Sequence, residues 1–317
     1  MVRTMGAQRR SGQEQRGVAP RPPGPGQILW IDVQGPWHDE LDRIVVAPFG
    51  VRPQTARLLE HPPQGSRFAV HDRYAFLHLA IPTGDGRDTP WLSVLLLHGV
   101  LVTVHRAPID LVDEVYDSQG VGEELAQGPD ILLAHLMERV VHRLGQFTLQ
   151  LVDHTESVNN QVIRHPRGEI FHEIFRTRRQ ALDLRRSLTP VLDTLSFCSR
   201  PDLRVVDETA RSYFEDLRDR LQDHLGEVDG VREGMSGSVE ALASVQANQT
   251  NDVMKVLTLV SILFLPATTI ASIYGMNFKI PELHWSFGYY YSLALMASTT
   301  AALLYWVKSK GWLRSRE

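Results

Sequence analysis

The sequence predicts an N-terminal α/β domain, then a long-helix stalk, then two C-terminal transmembrane helices. Three observations predict it. Between residues 28 and 106, short apolar runs, several of period two, are separated by Pro- and Gly-rich turns. From residue 129 onward, apolar residues recur every three or four positions. Two uncharged stretches, Val256–Tyr274 and Trp285–Val307, are each long enough to span a bilayer.

Composition narrows the function classes. The 317 residues carry 33 Lys+Arg against 37 Asp+Glu, a net charge of −4. That balance weighs against a nucleic-acid partner, because phosphate neutralisation needs a basic surface. The single cysteine, Cys198, excludes an intramolecular disulfide framework and every zinc site built on paired thiolates. The mean hydropathy of −0.17 is that of a soluble protein, but the apolar residues are concentrated rather than spread.

Residues 1–27 hold five arginines, four prolines and five glycines without an apolar run. They predict a disordered basic tail with no export signal. Residues 28–128 predict a small α/β domain. Its strands are Ile28–Val33, Phe68–Val70, Tyr74–Ile81, Trp91–Leu97 and Val100–Val104, with helical segments at Asp39–Val46 and Thr55–Leu59. Gly99 marks a hairpin or bulge, and Pro82-Thr83-Gly84-Asp85-Gly86 a turn. Residues 129–252 predict a helical region. One helix covers Asp130–Val162 and a second about Glu169–Leu195, with Pro190 a candidate kink. A third starts near Leu203 with Asp202 as its N-cap and runs to the membrane, weakened by Gly226, Gly230, Gly234 and Gly237.

The membrane segment is residues 253–307. Val256–Tyr274 has 19 uncharged residues, roughly 28 Å at helical rise, about the thickness of the hydrocarbon core. Trp285–Val307 has Trp and Tyr at both ends, as interfacial belts do. The tail, residues 308–317, carries Lys308, Lys310, Arg314 and Arg316, whereas the connecting loop holds only Lys279 and Glu282. By the positive-inside rule both termini face the cytoplasm, in the cell (inner) membrane, and the loop lies outside.

Within the first span, polar and small residues follow one line at steps of three and four. Asn251, Met254, Thr258, Ser261, Leu265, Thr268 and Ser272 lie on it, ending at Gly275. That spacing is the seam of a helix facing neighbours in a bundle. Its hydroxyls either line an aqueous path or bond across helices, and the stripe alone does not separate the two. Two spans per chain cannot enclose a pore, so a conduit requires a homo-oligomeric ring. Pro266 falls inside the span, where it kinks the helix or frees a carbonyl. Upstream, residues 202–240 hold eleven acids against five arginines, including Asp216 and Glu240. A solvated helix face is the bland reading. In a ring, copies of one carboxylate repel unless a hard divalent cation sits between them. The thirteen histidines form no His-Glu-x-x-His or comparable cluster, and no Gly-rich phosphate loop or nucleophile elbow indicates an organic cofactor or an enzyme.

Tyr274-Gly275-Met276-Asn277-Phe278, directly after the first span, resembles the Gly-Met-Asn signature of the CorA-type magnesium/cobalt transporter family. Asn251 and Met254-Lys255-Val256-Leu257-Thr258 at the span entry, Pro266, Pro281-Glu282-Leu283 in the loop, and Lys308-x-Lys310-Gly311-Trp312-Leu313 add to the likeness. It is dense over about Asn248–Leu313, and earlier residues match by layout. The resemblance implies a homopentameric funnel that carries Mg²⁺, with Co²⁺ and Ni²⁺ as further candidates, down the membrane potential. It assigns external ion selection to Gly275, Met276, Asn277 and Glu282, and the pore wall to Asn251, Met254, Leu257, Thr258, Ser261, Leu265, Thr268 and Ser272. It also implies closure by cytoplasmic Mg²⁺ between protomers. Asp216, 61 residues before Asn277, stands at the gating aspartate. Asp72 is the candidate partner from the neighbouring α/β domain, and Glu240 a further ion site. The alternatives are Zn²⁺ transport, as in the related branch, and a membrane-anchored cation sensor or scaffold.

Overall fold

The computed structural model describes residues 1–9, 14–35, 41–61, 65–81, 90–164, 169–277 and 281–310. The turn at residues 82–86, Phe278, Lys279, the tail beyond Lys310 and the side chain of Glu282 lie outside what is described. The chain divides into two compact units, Met1–Ser238 and Val239–Glu317.

The first unit is built on a seven-stranded mixed sheet. Its strands are β1 (Val2–Gln8), β2 (Glu14–Arg16), β3 (Gln27–Gln34), β4 (Arg67–Val70), β5 (Tyr74–Ala80), β6 (Trp91–Leu97) and β7 (Val100–His105), in the order β2-β1-β3-β7-β6-β5-β4. Only the β3–β7 pairing is parallel among these described strands; the others are antiparallel. Strand period two sorts the side chains by face. Leu29, Ile31 and Val33 of β3, with Val100, Val102 and Val104 of β7, share a core with Leu41, Ile44, Phe49 and Leu59 of the helical segments between β3 and β4. Those segments include a π turn at Asp42–Val46 and helix α1 (Pro53–Glu60). Trp30, Asp32, Thr103 and His105 occupy the opposite face. Gly99 turns the β6–β7 hairpin at φ +77°, a conformation that a side chain would strain.

The N-terminal expectation is corrected. Residues 2–8 and 14–16 are strands, not a disordered tail. β1 pairs with β3 along its whole length, from Val2 opposite Val33 to Gln8 opposite Gln27, and buries Met5 and Ala7. A strand with so few apolar residues holds because its backbone completes the β3 edge and because Arg3 reaches the buried Asp32 at 2.6 Å. Two seven-residue helices, α2 (Asp110–Tyr116) and α3 (Val121–Gln127), also exceed the expectation.

Helices α4 (Pro129–Arg164) and α5 (Glu169–Cys198) match the expected periodicity. Pro190 stays inside α5, where buried Leu188, Val191 and Leu195 hold the turns around it. Helix α6 (Glu208–Tyr274) has 67 residues, five positions later in its start than expected. Asp202 is not its N-cap, because it stands six residues before the helix begins, where the Arg200 guanidinium engages its carboxylate at 2.6 Å. The four glycines do not break α6. Ala210, Phe214, Leu217, Leu221, Val228, Val231 and Met235 bury one face at helical spacing, and that packing outweighs the low helix propensity of glycine. Helix α7 (Gly288–Ser309) follows a 3₁₀ turn at Pro281–His284.

Candidate ion pathway

The second unit begins within α6 at Val239, and beyond the buried Leu242 the burial pattern inverts. From Val253 to Leu265 the apolar side chains lie largely bare, with Leu265 67% exposed. An 18-residue window of this helix reaches a mean hydropathy of 2.1 with none of it buried. Exposed apolar area costs about 25 cal/mol per Å² in water, so this stretch requires lipid or other helices around it. Among the described residues it is the one helix long and apolar enough to cross a membrane. α7 has 22 residues, but the tyrosines and hydroxyl residues along it lower its hydropathy. Tyr289 and Tyr290 near one end and Tyr305 and Trp306 near the other are exposed, in the manner of interfacial belts.

The polar seam lies bare along α6. Asn251, Met254, Leu257, Ser261, Leu265, Thr268 and Ser272 are exposed and Thr258 is half-buried. Three of its hydroxyls share one geometry. Thr258 donates to the Met254 carbonyl at 2.8 Å, Ser261 to Leu257 at 2.9 Å and Thr268 to Phe264 at 3.0 Å. With each proton committed to the backbone, the oxygen offers its remaining capacity as an acceptor. Acceptors without free protons suit a cation or the waters around one. Pro266 has no N–H to give the Ile262 carbonyl. The Leu265 carbonyl accepts from Thr269 at 2.7 Å and shares the Thr268 proton with Phe264, at 3.0 Å from each oxygen.

The helix closes on the motif. Gly275 N–H donates to the Ala271 carbonyl at 2.9 Å and Met276 N–H to Ile273 at 3.2 Å, and Met276 and Asn277 are exposed. A Cβ on Gly275 would stand 3.2 Å from the Ala271 oxygen, tight enough to press on the turn that carries Asn277. Beyond the 3₁₀ turn, Trp285 packs its ring 5.3 Å from Phe287 and 5.8 Å from Tyr291.

The CorA-like Mg²⁺ transporter family model matches residues 25–309. The chain belongs to that family. The cobalt/magnesium transport protein CorA of Thermotoga maritima is 26% identical over 293 residues, 90% of this chain and 83% of that one. The magnesium transport protein CorA of Pasteurella multocida is 30% identical over 297 residues, 90% of this chain and 92% of that one. The complete structure of the CorA magnesium transporter from Methanocaldococcus jannaschii shares the fold at a TM-score of 0.77 and 20% identity, covering 99% of each chain. CorA family members are membrane-embedded ion transporters rather than enzymes, and this chain has their layout of an N-terminal α/β domain and a long helix.

Asp216 and Glu240 are exposed on α6, and Asp72 is exposed on the turn between β4 and β5. Among the described residues, no group of three or more His, Cys, Asp or Glu could hold a metal ion. The sequence did not reveal the cation beside Asp72. Arg52, twenty positions away, comes within 3.8 Å of its carboxylate, and His71 bonds Thr55 at 3.2 Å. Only the fold brings Arg52, the residue before helix α1, alongside the β4–β5 turn, so no local pattern signals the pair.

Proposed function

We propose that the chain is one protomer of a homopentameric, channel-like Mg²⁺ transporter, with Co²⁺ and Ni²⁺ as secondary substrates. The single observation that carries the reading is the seam of backbone-committed hydroxyls on a bare apolar helix ending in Gly275-Met276-Asn277. In this reading α6 and α7 both span the membrane, with the termini in the cytoplasm. Five copies of α6 turn Asn251, Met254, Leu257, Thr258, Ser261, Leu265, Thr268 and Ser272 toward a common axis.

Asn277 offers its amide oxygen, and Gly275 and Met276 their backbone, to hydrated Mg²⁺ at the outer mouth, where Glu282 adds negative potential. Mg²⁺ gives up water reluctantly, so neutral oxygens that grip the hydrated ion select it without trapping it. Entry needs no nucleotide. A divalent ion gains about 4.6 kcal/mol per 100 mV, twice the value for one charge. Cytoplasmic Mg²⁺ bound between Asp216 of one protomer and Asp72 of the next, with Glu240 as a further site, holds the pore closed.

The test is Mg²⁺ influx into liposomes containing the purified protein, with and without an inside-negative potential. Influx that the potential accelerates supports the reading. Competition far stronger from Zn²⁺ than from Mg²⁺ makes zinc the substrate, and a stable oligomer without influx makes the chain a sensor or scaffold.

A further inference from the structure

The sheet face opposite the Leu29–Ile31–Val33 row carries a buried charge network that the ion pathway does not use. The side chains of Asp32 on β3 and His105 at the end of β7 are 1% and 0% exposed. Register places Arg3 of β1 opposite Asp32 on one side and Thr103 of β7 on the other. Thr103 and His105 Nε2 donate to Asp32 Oδ1 at 2.6 and 3.1 Å, and Arg3 Nη2 and Nε donate to Oδ2 at 2.6 and 3.1 Å. Trp30 donates its indole N–H to the Thr103 hydroxyl at 3.0 Å, which orients that hydroxyl toward Asp32. Arg3 extends the network to Asp113 of α2 at 2.7 Å and lies 4.6 Å above the ring of Tyr116.

The other nitrogen of His105 decides its charge. Nδ1 lies 2.6 Å from the Ala107 carbonyl. A carbonyl oxygen and an ionised carboxylate both only accept, so both ring nitrogens must donate and the ring is an imidazolium. Arg3 and His105 then balance Asp32 and Asp113. Either neutral tautomer turns a lone pair onto Ala107 or onto Asp32. The charged groups facing His105 are Asp32 from β3 and Arg3 from β1, while Gln34 on β3 and Leu92 on β6 are its register neighbours. From α2, Asp113 acts one step removed through Arg3.

We propose that the charge on His105 is a pH-sensitive latch that holds β1 and α2 to the sheet of the cytoplasmic domain. Loss of the proton breaks one of its two contacts and leaves the Asp32 charge to Arg3. The disturbance falls on Arg3, which joins β1 to α2, and on the turn from Ala107 into α2. Burial pushes the imidazole pKa down, but the hydrogen bond and charge of Asp32 and the Ala107 carbonyl outweigh burial and Arg3, and the net direction is upward. A raised pKa makes the contribution full below the ordinary imidazole value of about 6.5, and it is lost as pH rises through the folded value. The latch is closed in acid and opens in alkali.

Hydrogen exchange on the full-length protein in detergent, corrected for intrinsic rates, tests this between about pH 6 and about pH 10. In wild type, protection of residues 2–8 and 106–116 falls by about tenfold or more across that range, while β5 and β6 keep theirs. His105→Gln gives low, pH-independent protection at those two segments. Arg3→Gln moves the pH at which residues 106–116 lose protection upward, because the charge opposing the imidazolium is gone, and a merely structural arginine leaves that midpoint in place. Wild-type protection that stays flat across the range, or a His105→Gln profile that follows wild type, overturns the proposal. If His105→Gln does not fold, the Arg3→Gln midpoint decides, and an unmoved midpoint overturns it equally.

Discussion

Asp130, in the first turn of α4, accepts the backbone N–H of Asp207 at 2.8 Å, so one buried carboxylate seats the residue that precedes the 67-residue helix α6. Burial pushes its pKa up, the Asp207 N–H draws it down, and the Asp207 charge pushes it up again, with a net upward direction. A folded pKa above the unfolded one means that the folded state binds the proton more tightly. Stability from this group therefore grows as pH falls through the folded value and is least at neutrality.

Asp130→Ala leaves the Asp207 N–H without its acceptor and lowers stability by about 1–3 kcal/mol. Asp130→Asn keeps an acceptor oxygen, removes the desolvated charge, and stays within about 1 kcal/mol of wild type. Thermal melting of the detergent-solubilised protein near neutral pH separates the two variants. Equal losses from both contradict the account.

Asp32 behaves with the opposite sign. Burial pushes its carboxyl up, but the hydrogen bond and charge of His105, with Thr103 and Arg3, hold it below the ordinary range. Its contribution is present above the ordinary carboxyl value of about 3.8 and is lost as pH falls through the depressed folded value. Asp32→Ala takes away the buried counter-charge that Arg3 and His105 share, leaving Arg3 with Asp113 alone and the imidazole to the cost of burial, and costs about 3–5 kcal/mol at neutrality. The expected melting curves show the gap between wild type and this variant narrowing in strong acid, and a gap that is constant with pH rules the mechanism out.

Most of the frame is legible in the sequence, because β3 and β5–β7 carry apolar runs and α4–α6 carry a sustained helical period. The N-terminal strand is not. Val2–Gln8 has two buried apolar anchors, Met5 and Ala7, among polar residues, and its hold comes from pairing with β3 and from Arg3 on Asp32, contacts well separated along the chain. β2 exposes all three of its side chains, so no pattern marks it. Helices α2 and α3 are too short for a period to stand out. At the candidate site, the seam and the Gly-Met-Asn motif are local patterns and could be read directly. The Arg52–Asp72 pair depends on the β4–β5 turn and could not.

The seam makes its own prediction. Thr258→Val keeps the shape of the side chain but removes the oxygen that donates to Met254 and faces outward. Mg²⁺ flux in liposomes falls by about two- to tenfold in this variant, while Thr258→Ser retains flux near wild type. Unchanged flux in the valine variant removes Thr258 from the pathway.

The proposed gating can be tested apart from conduction. Asp216→Ala raises the cytoplasmic Mg²⁺ needed to stop flux by about tenfold, within the usual range of a coupling between sites, and leaves flux at low Mg²⁺ intact. Identical Mg²⁺ responses in Asp216→Ala and wild type mean that Asp216 is not the sensor.

The central claim is that Gly275-Met276-Asn277 receives the ion for a pore lined by α6. The most direct measurement is Mg²⁺ influx into liposomes for wild type and Asn277→Ala side by side, with the oligomer of each checked beforehand. The account predicts potential-driven influx in wild type that vanishes in a variant of the same assembly. Equal influx through both proteins contradicts it.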